Sequence, residues 1–303
     1  MSEGSALCGS HHRRFAETAR VGKVFHCGWG TEPEDYEVSH MTSSQRYEIG
    51  LEVLQKVGGV NGAAPLKALE TIAPDLARFT VEFGYADIMA RPALDLKTRQ
   101  MATVAALSAM ANAAPQLRYH IEGALNVGWE PSQIVEVILL NTVYAGFPAA
   151  LNGISAAKEV FERRGVVPAI EASTDGRERY QRGLSALKEV SGGAGAEVVG
   201  SLAQVAPDLG RFVIEFSYGD VISRPGLDYR TKELATVALL TALATAAPQL
   251  KVHIRAALNV GASREEIVEV IQQMALYAGF PAALNGISAA REVFLAADSA
   301  ERS

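Results

Sequence analysis

Two histidines, His120 and His253, lie in the same local sequence, Gln-Leu-(Arg/Lys)-x-His-Ile, each followed by Ala-Leu-Asn-Val-Gly. An imidazole titrates near neutrality and can give or take a proton. Each histidine could serve as a general acid or base, or could equally be a buried ring bonding a neighbouring helix. Gln100 precedes the first at the distance at which Glu233 precedes the second. A carboxylate one helix away could act as a proton partner, and a solvent-facing Gln/Glu exchange is the plainer alternative. Arg91 and Arg224 occur in Arg-Pro-x-Leu-Asp. A guanidinium grips a carboxylate through two hydrogen bonds, or it pairs here with Asp95 or Asp228. Tyr144 and Asn152, matched by Tyr277 and Asn285, could orient a ligand, while the Gly-Phe-Pro between them could form a tight helix corner. Tyr85 and Tyr218 are further candidates for substrate contact. Glu82 and Asp87 flank Tyr85, as Glu215 and Asp220 flank Tyr218. On an α-helix residues five apart differ by about 140° around the axis, so a paired-carboxylate site is not expected there.

These pairs recur because the chain contains itself twice. Shifted by 133 residues, Tyr47–Phe161 aligns without a gap on Tyr180–Phe294, with 65 of 115 positions identical. The longest identical run is Tyr144–Ala157, fourteen residues.

The elements that position these residues read as helices. An amphipathic stretch covers Arg46–Val57, and a Gly-rich break follows at Gly58–Gly62. A long helix over Leu66–Met89 is broken at Ala73-Pro74-Asp75, where Pro suits a first turn and Asp75 an amino end. Asp95 is the expected N-cap of a helix over Leu96–Met110. The histidine helix covers Gln116–Asn126 and closes at Gly128. Ser263-Arg-Glu-Glu266 reads as a capping box, and Pro131 takes the first-turn position in the other copy. The last helix of the first copy is Ala149–Arg163. No segment has convincing strand character. Ala102–Ala114 and Ala235–Ala247 are nearly all small residues, which let helices approach closely. The reading is an all-α fold of two tandem helical-bundle repeats, 46–163 and 179–297, joined by a linker at 164–178 and preceded by a leader at 1–45.

The leader lacks the basic start and apolar stretch of a signal peptide. It reads as a flexible segment, with Met41 as an alternative start. It holds Cys8, Cys27, His11, His12, His26 and His40, but their spacing matches no usual zinc site, so no metal is expected. With both cysteines there, the repeats have no disulfide or cysteine nucleophile, and a cytoplasmic location is expected. Net charge is −6, without a Lys/Arg block, which disfavours nucleic acid and membrane surfaces. No run approaches the roughly 18 apolar residues of a membrane-spanning helix.

The motifs together resemble the carboxymuconolactone decarboxylase family. The resemblance runs through Arg-Pro-x-Leu-Asp-x-(Lys/Arg)-Thr-(Arg/Lys), the histidine helix, (Glu/Gln)-Ile-Val-Glu-Val and Tyr-Ala-Gly-Phe-Pro-Ala-Ala-Leu-Asn, covering nearly all of each repeat. It implies the alkyl hydroperoxidase D-like fold and sites at subunit contacts. It also implies a homo-oligomer in which three tandem chains imitate a hexamer. The peroxidase branch carries a Cys-x-x-Cys pair where this chain has Ala113 and Gln116, and Ala246 and Gln249. Thiol peroxidase chemistry is therefore excluded. The decarboxylase branch works without a cofactor. The chain departs from it at Gln116 and Gln249, where an acidic residue is usual, and at Ala90 and Ser223, where tryptophan is usual. By resemblance, His253, His120 and Glu233 are catalytic. Arg91, Arg224, Tyr144, Tyr277, Asn152, Asn285, Tyr85 and Tyr218 bind a small carboxylate or lactone. The expected reaction is decarboxylation of a 4-carboxymuconolactone-like substrate, with His protonating the dienolate that loss of CO2 leaves. The alternatives are cofactor-free proton transfer, cyclisation or lactone opening in secondary metabolism, and a non-catalytic binding module.

Overall fold

The computed structural model describes residues 42–169 and 177–302. The leader up to Met41, with its Cys/His cluster, and residues 170–176 of the linker lie outside the described residues. Every regular element among the described residues is helical. None is long and apolar enough to cross a membrane.

In the first repeat α1 spans Ser43–Gly58 and α2 Ala64–Lys67, while α3 spans Pro74–Phe79 and runs on as a π-helix over Thr80–Met89. Then follow α4 (Leu96–Met110), α5 (Ala114–Asn126), α6 (Pro131–Leu139), α7 (Asn141–Tyr144) and α8 (Phe147–Arg164). The second repeat has α9 (Arg179–Ser191), α10 (Ala194–Ser201) and α11 (Pro207–Phe212), the last continued by a π-helix over Val213–Ile222. It ends with α12 (Tyr229–Leu243), α13 (Ala247–Asn259), α14 (Arg264–Gln273) and α15 (Phe280–Glu301).

The expected start signals act as read. Asp95 and Asp228 accept from Thr98 and Thr231 N–H at 2.6 and 2.7 Å. Ser263 and Glu266 form the capping box. The first helix starts earlier than expected, because Thr42 and Gln45 make a capping box of their own. Residues 42–45 thus belong to the bundle and not to the leader. Gly146 and Gly279 turn the chain at φ 88° and 85° just before Phe-Pro opens α8 and α15. The Gly-Phe-Pro segment is therefore a helix corner, as one reading held.

α4 and α12 pack against each other at the centre. Residues Arg99–Ala109 and Lys232–Ala242 are buried without interruption. Small and apolar side chains all round both helices allow burial on every face. One hydrophobic core joins α4 and α12 with α5, α6 and α8 on one side and α13, α14 and α15 on the other.

The π-helices correct one expectation. Their i→i+5 bonds, such as Ala90 N–H to Tyr85 C=O at 2.9 Å, bring residues five apart onto one face. Glu82 and Asp87 accordingly both meet Arg46, and Glu215 and Asp220 both meet Arg179. The carboxylates are still no acid/base pair, because each set is bridged by an arginine. Glu82 is buried and takes hydrogen bonds from Ser43 (2.6 Å) and Arg78 (3.1 Å). Gly50 and Gly183 are needed here: a β-carbon on either would collide with the backbone carbonyl of Val81 or Ile214.

Candidate active site

Each histidine is brought by its helix against the central pair. His253 on α13 places Nδ1 2.7 Å from Glu233 Oε2 on α12, both residues buried. A carboxylate only accepts, so Nδ1 carries the hydrogen and Nε2 is left for exchange. The Tyr144 ring meets His253 edge-on at 5.0 Å. Thr236 lies beside its hydroxyl, and burial raises its pKa well above the ordinary phenol value. Tyr218 is raised as well, by burial and then by the charge of Glu233. Both tyrosines therefore remain O–H donors. Glu233 Oε1 is buried without a hydrogen-bond partner among the described residues.

His120 on α5 places Nδ1 3.0 Å from Gln100 Oε1 on α4. Its Nε2 lies 3.5 Å from the Tyr277 hydroxyl, and the rings of Tyr277 and Tyr119 meet it edge-on at 5.4 and 5.2 Å. Burial lowers its pKa to about 3, so this imidazole is neutral at neutral pH. Tyr85 completes the group, its hydroxyl 3.3 Å from that of Tyr119. Both histidines thus meet a tyrosine from the other repeat: Tyr144 faces His253 and Tyr277 faces His120.

The two arginines are engaged differently from expectation. Arg91 binds the Glu269 carboxylate across the repeats at 2.8 Å, and Arg224 binds Glu136 at 2.7 Å. Neither alternative partner, Asp95 or Asp228, is used in this way. The buried Arg99 adds a second guanidinium to Glu269 at 2.6 Å. From there hydrogen bonds run through Gln273 and Thr103 to Tyr277 and so to His120. In the other half Lys232 replaces Arg99, its ammonium held by the carbonyls of Ile222 (2.7 Å) and Arg224. Leu140 stands where Gln273 does, so this relay has no counterpart.

Asn152 and Asn285 are exposed, and Asn285 lines a separate cleft with Lys251 and Glu292. Neither joins a histidine site, because α8 and α15 turn these faces outward. Sequence reasoning missed Glu136, Glu269, Thr103, Thr236 and Tyr119. The first four recur between the copies, and that recurrence was the available signal. Tyr119 carried none, since Val252 matches it.

Fold and site define a duplicated all-helical chain with a histidine between its halves in each copy. The chain belongs to the carboxymuconolactone decarboxylase family, whose sequence pattern matches residues 74–159 and again 207–292. It is 37% identical over 118 residues to the 4-carboxymuconolactone decarboxylase of Acinetobacter baylyi, covering 39% of this chain and 87% of that protein. It is 30% identical over 115 residues to the nitrosuccinic acid decarboxylase of Metarhizium robertsii, covering 37% and 78%. A solved structure from Burkholderia xenovorans, described as a candidate γ-carboxymuconolactone decarboxylase subunit, superposes with a TM-score of 0.51 at 23% identity. It covers 86% of this chain and 98% of that one, and this likeness concerns the fold.

The buried neutral His120 makes the fold acid-sensitive. Its pKa falls from 6.5 to about 3 on folding. The unfolded chain therefore binds the extra proton between those values, and stability drops as pH falls through that window. Between pH 7 and pH 5 this one group removes about 2 kcal/mol. Urea denaturation of His120→Asn should show a pH dependence shallower by that amount, and an unchanged slope would count against the assignment.

Proposed function

We propose that this chain is a cofactor-independent decarboxylase of a small carboxylated, unsaturated lactone, working at the Glu233–His253 pair. The observation that carries this reading is the 2.7 Å bond that fixes Nδ1–H on Glu233 and leaves Nε2 for proton exchange. Loss of CO2 leaves an electron pair delocalised into the lactone as a dienolate. The phenols of Tyr144 and Tyr218 donate hydrogen bonds to the developing oxyanion. Protonated His253 delivers its Nε2 proton to carbon, and Glu233 stabilises the imidazolium before that transfer. The Acinetobacter and Metarhizium relatives, both named decarboxylases, support the reaction class. Arg91 and Arg224 each already hold a protein carboxylate, so their service here is to tie the repeats together.

Departures at Gln116, Gln249, Ala90 and Ser223 favour one second reading, cofactor-free proton transfer, cyclisation or lactone opening on an intermediate of secondary metabolism. The proposal extends to self-association. Phe79, Phe212, Phe147 and Phe280 are half exposed or more, at matching positions in both repeats, and apolar surface of this kind suits a contact between chains.

The test is CO2 release from 4-carboxymuconolactone. Glu233→Gln should retain the fold and lower kcat by about 10²–10⁴-fold, the scale of losing the carboxylate that orients an acid–base imidazole and stabilises its charge. No release by the parent protein would exclude this substrate and favour the second reading.

A further inference from the structure

We propose that the His120 pocket is a second ligand site, one that takes an uncharged ring compound bearing a carbonyl or hydroxyl oxygen. Two adjoining cavities of about 370 and 250 Å³ meet at His120, sharing Thr80, Tyr85 and Gln116. Among the described residues neither is lined by a single Asp, Glu, Lys or Arg. A carboxylate held against their apolar walls would give up part of its hydration and gain no cation from the lining in exchange. A neutral ring meets the opposite conditions: apolar walls from Leu54, Leu66, Phe83 and Leu276, and a set of fixed hydrogen-bonding groups. The hydroxyls are those of Tyr85, Tyr119 and Tyr277. The buried Gln100 Nε2 beside His120 is a donor without a partner among the described residues.

This chemistry is peculiar to the first repeat. The Tyr119 hydroxyl occupies space left by Gly58, where a β-carbon would collide with it, and it donates to Gly62 C=O at 3.3 Å. In the second repeat both positions differ together: Val252 replaces Tyr119 and Ser191 replaces Gly58. Ser191 turns its hydroxyl onto its own helix, donating to Leu187 C=O at 2.6 Å. Gln100 in place of Glu233 puts an amide rather than a carboxylate behind the histidine. His253 thus has a carboxylate partner and His120 only an amide, a difference that would let the two halves select different molecules. The site stands whether or not the Glu233–His253 pair decarboxylates.

α-Angelica lactone, a neutral unsaturated lactone, and levulinate, its ring-opened carboxylate, are suitable probes by titration calorimetry on the full chain. The lactone should bind at millimolar concentration, and levulinate about tenfold more weakly or not at all. Tyr119→Val, which installs the residue of the second repeat, should weaken lactone binding about fivefold. Tyr85→Phe, which deletes one hydroxyl at nearly constant volume, should also weaken it. Glu233→Gln should leave it unchanged. The proposal is overturned if the lactone fails to bind or if levulinate binds equally well. It is also overturned if neither tyrosine variant alters the affinity, or if binding disappears in Glu233→Gln.

Discussion

Replacing His253 with Ala should lower turnover of the carboxylated lactone by about 10²–10⁴-fold, the range that general acid–base catalysis supplies. His120→Ala should leave turnover near the parent value. Of the two described histidines, His253 alone shares its proton with a carboxylate, Glu233. His120 leans on the amide of Gln100 and is held neutral by burial, with a pKa of about 3. A group that is neutral across the working range lacks the proton that must be delivered to carbon. The comparison needs kcat for both variants and circular dichroism to confirm their folds. Equal loss in both would refute a single working half.

Glu269→Ala should cost about 3–5 kcal/mol of stability, the usual effect of removing one partner from a buried ion pair. Burial alone would push the Glu269 carboxyl up, but hydrogen bonds from Arg91 and Arg99 hold it below the ordinary carboxylate value. Without it the Arg99 charge stays buried, since a guanidinium does not give up its proton. Glu136→Ala should cost less and should depend on pH. Its neighbour Lys232 is lowered by burial from 10.5 to about 8. Between those values the unfolded chain binds the proton and the folded chain does not, so Lys232 makes stability rise with pH there. Urea denaturation at pH 7 and pH 9 separates the cases. The Glu136→Ala deficit should shrink at pH 9, while the Glu269→Ala deficit should not.

What could be read from the sequence depended on how local the cause was. The helix at Leu96–Met110 was legible to the residue, because Asp95 is an N-cap and the composition changes sharply beyond it. The end of the histidine helix was legible from Gly128 for the same reason, while its start lies two residues earlier than read, at Ala114. The π-helical winding at Thr80–Met89 was not, since nothing in a 3.6-residue periodicity distinguishes i→i+4 from i→i+5 bonding. The Gln100–His120 and Glu233–His253 pairs were within reach because the partners fall on adjacent helices of one repeat. The crossed pairs were not. Arg91 and Glu269 are 178 residues apart, and a reading that treats each repeat as a unit sends both to the wrong neighbour. Asn152 shows the converse error, because a residue repeated in both copies can still face outward.

The exchange of tyrosines between the halves also bears on how such a chain can change over time. Tyr144 belongs to the first repeat by sequence but to His253 by position. A first repeat that lost its own chemistry would still have to keep its fold, or the surviving site would lose a wall. Each copy is thus both a tenant of its own pocket and a landlord of the other. A free half would have to find its counterpart by collision and would lose it on dilution. Joined in one chain, the halves meet at an effective concentration on the order of millimolar, so both tyrosine–histidine pairings persist however dilute the protein becomes.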